Sequence, residues 1–133
     1  MATLQAPRKQ KSLTAAEWRE IVRRLAHQVT EWSREEGWAA QALEARVLEG
    51  YPYPPTLVIQ APQGRLMLEL PDPETYSVLR PKLYAWPGLY RVWLSHRGEQ
   101  LGWEIWTESG IPIHEDWNKK TFITLANDLM RAE

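Results

Sequence analysis

Apolar residues return every three or four positions through Trp18, Ile21, Val22, Leu25, Val29 and Trp32, the spacing of a single helical stripe. Thr14 and Glu17 stand at the two positions of a capping box, in which each side chain accepts a hydrogen bond from the other residue's otherwise unpaired backbone N–H. Leu13 and Trp18 sit at the positions of a hydrophobic staple, and Gly37 suits the left-handed residue that ends a helix. These signals predict a helix running from Thr14 to just before Gly37.

After Gly37 the period changes from three or four to two, the signature of strands. Leu43, Ala45 and Val47 alternate with Glu44 and Arg46, which predicts a strand over Leu43 to Leu48. The run Tyr51-Pro52-Tyr53-Pro54-Pro55 is incompatible with a helix or a central strand and reads as an extended connection of polyproline character. Leu57 to Ala61 and Arg65 to Leu70 form a hairpin about Pro62-Gln63-Gly64, with Leu66, Leu68 and Leu70 on one face. Residues 71–82 hold three prolines and read as loop, with a turn of helix near Tyr76. A second hairpin joins Tyr90–His96 to Trp103–Thr107 through Arg97-Gly98-Glu99-Gln100, and Ser109 to Asp116 reads as loop. Asn118 is the expected N-cap of a last helix with Phe122, Leu125, Ala126, Leu129 and Met130 on its stripe.

The expected fold class is therefore α+β: about five antiparallel strands, with an N-terminal and a C-terminal amphipathic helix packed on one face. Strands joined by short turns must pair antiparallel, because parallel pairs need a long crossover. Residues 1–12 are expected to form a flexible basic arm and residues 13–133 one domain, a normal size for a single core.

Composition adds few constraints. Cysteine is absent, so neither a disulfide framework nor a thiolate metal site is available. No window approaches a membrane-spanning run, and Met1 to Lys11 lacks the apolar segment of a signal peptide. The expectation is a cytoplasmic protein with no membrane association. Charge is uneven: residues 1–34 carry seven Lys/Arg against three Asp/Glu, and residues 35–80 carry three against seven. Arg8, Lys9 and Lys11 in the arm, with Arg19 and Arg23 on the first helix, form a candidate nucleic-acid surface. The plain alternative is a solvated tail and helix face.

Eight tryptophans are the unusual feature. Most are expected in the core, but so many in a short chain implies that some lie at a surface, where a partner would cover them.

The second half of the chain resembles a family of small bacterial proteins found mainly in planctomycetes. The likeness rests on Gly64-Arg65-Leu66, Leu68-Glu69, Leu83-Tyr84-Ala85-Trp86-Pro87, Arg91-Val92 and Trp103-x-Ile105-x-Thr107-x-Ser109-Gly110. The ending Trp117-Asn118-Lys119-Lys120-Thr121-Phe122, with Leu125 and Leu129, fits as well. It covers about residues 56–130. That family has no established activity, so the resemblance implies a shared fold and no substrate or catalytic residue.

Catalytic patterns are thin. No Gly-x-Ser-x-Gly elbow occurs, and adjacent Ser95 and His96 point to opposite faces of a strand. His114-Glu115-Asp116 precedes a helix, where acidic residues complement the helix dipole more readily than they converge on a metal. A degenerate nuclease or hydrolase would centre on Glu44, Glu69 and His96, but lacks a second acid and a lysine at nuclease spacing. No catalytic residue, cofactor or metal is therefore expected. Tyr84, Trp86, Arg91, Trp93 and Trp106 remain as candidate binding residues, because Trp93 and Trp106 alternate with the aliphatic positions of their own strands. If the aliphatic side packs under the helices, an aromatic–arginine patch faces the other way, with the composition of a protein-binding hot spot. The leading expectation is a non-catalytic binding or adaptor domain for a protein partner or a homodimer. The alternative is a nucleic-acid accessory protein in which bases stack on the patch.

Overall fold

The computed structural model describes residues 14–70, 80–86, 90–96 and 103–131. The described elements are helix α1 (Ala15–Glu35), strands β1 (Ala39–Leu43), β2 (Arg46–Leu48), β3 (Tyr51–Tyr53), β4 (Thr56–Ala61), β5 (Gly64–Glu69), β6 (Lys82–Trp86), β7 (Arg91–His96), β8 (Trp103–Thr107) and β9 (Pro112–Ile113), and helix α2 (Lys119–Arg131).

The α+β class and the antiparallel sheet are as expected, but the sheet has seven strands rather than five, in the order β1-β4-β5-β6-β7-β8-β9. The two undercounted strands lie among prolines. β6 follows Pro81 and precedes Pro87, and β9 begins at Pro112; in each case the flanking or edge position tolerates proline, because no ladder donor is demanded there. The predicted arm and the end of the first staple, Leu13, lie outside the described residues, as do the turn at residues 97–100 and the proposed helical turn near Tyr76.

Both helix starts match their sequence signals. Thr14 Oγ1 accepts from the Glu17 N–H at 3.0 Å while Glu17 Oε1 accepts from the Thr14 N–H at 2.9 Å. Asn118 Oδ1 accepts from the Thr121 N–H at 2.9 Å at the start of α2. Gly37 takes φ +82°, a conformation that a Cβ would oppose, and turns the chain into β1.

Alternation along the strands sorts the side chains into two layers. Leu57, Ile59, Leu66, Leu68, Leu83, Leu94 and Ile105 are essentially inaccessible and share one core with Val22, Leu25 and Val29 of α1 and Phe122, Ala126 and Leu129 of α2. α1 packs on β1 and β4, α2 packs on β5 and β6, and the helices touch each other. Trp18, Trp38 and Trp103 are buried in this core, and Trp32 and Trp117 flank Phe122 at ring-centroid distances of 5.9 Å. Five of the tryptophans thus serve the helix-covered side of the sheet.

The predicted strand over Leu43–Leu48 is split, and Tyr51–Tyr53 of the Tyr–Pro run pairs as a strand rather than forming only an extended connection. Leu43 pairs with Thr56, and three residues further along each strand Arg46 pairs with Tyr53. β2–β3 thus keeps the Cα register of β1–β4 but forms a separate two-stranded sheet at the end of the same ribbon. The ribbon is interrupted where Pro54 and Pro55 have no N–H to donate across to Glu44 and Ala45. At its tip Leu48 pairs with Tyr51 across Glu49 and Gly50, whose φ values of 53° and 83° make a two-residue type I′ turn. β5 ends at Glu69, opposite Thr56, so the β2–β3 end of the ribbon projects past the sheet.

Candidate functional site

Every residue of the predicted aromatic set belongs to the side of the sheet opposite the helices. Backbone register places them in rows. One row runs Thr56, Glu69, Lys82, Trp93, Trp106 and Pro112 across six strands, and the next runs Val58, Met67, Tyr84 and Arg91. Trp86 stands opposite Arg65 at the end of β6. Trp93, Trp106 and Tyr84 are half-buried, whereas Trp86 is 58% exposed. Nothing but the pleat is needed for this arrangement. Leu83, Ala85, Val92, Leu94 and Ile105 go down into the core, so their neighbours must go up.

The polar groups on this face are largely paired within the chain. Glu69 joins two partners, accepting from the Tyr84 hydroxyl at 2.7 Å and lying 3.3 Å from Lys82 Nζ. Lys82 in turn lies over two rings, 5.6 Å from the Tyr84 centroid and 5.5 Å from that of Trp93, within cation–π range. The Trp106 indole N–H donates to Glu104 Oε1 at 3.1 Å. Arg91 Nη1 is 3.7 Å from Glu108, whose other oxygen accepts from the Arg91 backbone N–H at 3.2 Å. Among the described residues on this face, Arg65, Lys82 and Arg91 thus balance Glu69, Glu104 and Glu108.

Sequence reasoning did not find Lys82 and Glu69 as members of this surface. The signal was present in Lys82, Tyr84 and Trp86 alternating with Leu83 and Ala85, but the prolines before and after it argued for loop.

The other candidates are dispersed. Arg19 and Arg23 lie on α1, in the layer on the far side of the sheet from Trp93, and Arg23 and Arg24 both bridge Glu20 at 2.8 and 3.2 Å. Arg23, by its hydrogen bond, holds the Glu20 carboxyl below the usual carboxylate range. Arg8, Lys9 and Lys11 lie outside the described residues. Of the degenerate hydrolase set, Glu44 is in the ribbon break and Glu69 is on the open face. His96 is on the helix-covered side, 6.3 Å from the Trp18 ring and 5.0 Å from that of Trp103. The three do not converge. Burial among those indoles pushes the His96 imidazole below its usual range.

Away from this face, a concavity of about 650 Å³ between β8–β9 and α2 is lined by Ile105, Ile113 and Leu125 together with Glu115, Asp116 and Asp128. Among the described residues no group of three or more acidic or histidine side chains is placed to hold a metal ion, and no helix is long and apolar enough to cross a membrane.

Comparison with models of known families, with curated proteins and with solved structures returned no match.

Proposed function

We propose that this protein is a non-catalytic binding domain whose open sheet face, built on Tyr84, Trp86, Arg91, Trp93 and Trp106, docks a protein partner. One observation carries the reading. Three tryptophans and a tyrosine of β6, β7 and β8 share the face that neither helix covers, with the Tyr84 hydroxyl and the Trp106 indole N–H each hydrogen-bonded inside the chain. A surface of this kind offers large rigid apolar area at little desolvation cost. Among the described residues the charges on the face balance, so the partner it suits is an apolar protein surface of low net charge. A second copy docking by the same face would be the homo-oligomeric form of this reading.

Less supports nucleic-acid binding. Such binding draws its affinity from unpaired cations that displace counterions along the phosphate backbone, whereas Lys82 and Arg91 each lie beside a glutamate. Arg19 and Arg23 occupy the other layer of the fold, away from the rings.

Affinity capture from an extract of the native host tests the proposal. Proteins retained by the wild-type chain are expected to be lost with Trp93→Ala and with Arg91→Ala, and kept with Arg23→Ala on the opposite layer. Equal retention by all of these variants would defeat it. Binding that needs Arg23 and falls steeply with added salt would favour nucleic acid instead.

A further inference from the structure

α2 presents two flanks of different use. Phe122, Ala126 and Leu129 face the core. Asn118, Thr121, Leu125 and Asp128 follow a second line at three- and four-residue spacing, a run of about 15 Å. That line is one wall of the concavity of about 650 Å³, and Ile105 and Ile113 of β8 and β9 belong to the other. The helices pack mainly on β1, β4, β5 and β6, so the groove occupies the place beside α2 where a further helix would continue the layer. Ile113 and Leu125 are only partly buried, and Ile111, two residues before Ile113, is 60% exposed. Apolar residues left open together in this way mark a contact surface.

The groove is acidic. Glu115, Asp116 and Asp128 line it against one cation, Lys120. The other two cations of α2 are engaged: Lys119 lies 3.0 Å from Glu35 and 3.5 Å from Glu36, and Arg131 bridges Asp128 at 3.2 Å. Glu115 and Asp116 are exposed and form no salt bridge among the described residues. We propose that this groove takes an amphipathic helix of a partner protein, its apolar stripe against Ile105, Ile113 and Leu125 and its flanking lysines or arginines opposite Glu115 and Asp116. An extended segment fits less well, because β9 is two residues long and begins with Pro112, which leaves little ladder to extend. The site is separate from the aromatic face: Ile105 pairs with Ile113 on the helix side of the sheet, and Trp106 with Pro112 on the other. The two surfaces also differ in charge, one balanced and one acidic, and so suit different partners.

Fluorescence anisotropy of the full chain with a labelled leucine–lysine peptide tests this, the peptide being about 14 residues long with its leucines on one helical face. The peptide is expected to bind. E115K/D116K should weaken the dissociation constant by about fivefold or more, and Leu125→Ala by a similar factor. E115Q/D116Q, which removes the charges without reversing them, should give a smaller loss in the same direction. Trp93→Ala should leave binding unchanged. Absence of binding would overturn the proposal, as would equal binding of a scrambled peptide without an apolar face, which would show charge attraction alone. So would equal binding of the leucine–glutamate counterpart, or a loss on Trp93→Ala, which would move the peptide to the aromatic face. A wild-type chain that dimerises and becomes monomeric in E115K/D116K would give the groove to a second copy instead.

Discussion

Trp93 of β7 and Trp106 of β8 stand directly opposite each other in the antiparallel ladder, on the side of the sheet that neither helix covers. Cross-strand aromatic partners of this kind stabilise a sheet by area and ring contact together. Here the pair is extended by the Lys82 ammonium, 5.5 Å from the Trp93 ring, and through it by Glu69 and Tyr84. The side chains of this face are thus held in place by contacts within the chain itself.

The Glu69–Tyr84 bond is the most direct test of that organisation. Tyr84→Phe should destabilise the fold by about 1 kcal/mol, the usual net value of one hydrogen bond. In a Glu69→Ala background the same change should cost much less, because the acceptor is already gone. A double-mutant cycle by chemical denaturation measures the difference, and additive effects would show that the bond contributes nothing.

The capping box of α1 gives a second expectation. Thr14→Ala removes the acceptor for the Glu17 N–H and should cost about 1 kcal/mol, whereas Thr14→Ser should be close to neutral. Urea denaturation midpoints check both, at unchanged slope.

His96 supplies a pH dependence. In the unfolded chain its imidazole titrates near its ordinary value of about 6.5, and burial beside Trp18 and Trp103 lowers it in the fold. The unfolded state therefore takes up the proton first. This contribution to stability is full above about pH 7 and declines as pH falls through 6.5 toward the folded value. Thermal melts across that window should show the decline in the wild type and a flatter profile in His96→Gln. An unchanged slope in the variant would remove His96 from the account.

Most of the architecture could be read from residue periodicity. The Thr14–Glu17 box, the Trp18-to-Trp32 stripe and Gly37 define α1, and alternation in Tyr90–His96 and Trp103–Thr107 defines the second hairpin. What escaped was concealed by proline. Pro81 and Pro87 bracket a genuine strand at Lys82–Trp86, and Pro52 sits inside a strand that belongs to a projecting ribbon rather than to the sheet. Proline forbids a central ladder position but not an edge or an overhang, and local sequence does not say which of these a segment occupies. The outward aim of Trp93 and Trp106 was legible from strand parity alone, because Val92, Leu94 and Ile105 had to be inside. The pairing of Glu69 with Lys82 and Tyr84 was not, since it depends on β6 lying next to β5.

The central claim, that the indoles of Trp93 and Trp106 lie on an open face and not in the core, is tested most directly by comparing two tryptophan truncations in the isolated chain. Trp103, on the helix-covered side, is 6% exposed, and Trp103→Ala should lose about 3–5 kcal/mol of unfolding free energy. Trp93→Ala should lose no more than about 1.5 kcal/mol, the value of a cross-strand aromatic contact. Equal, core-sized losses from the two substitutions would contradict the account.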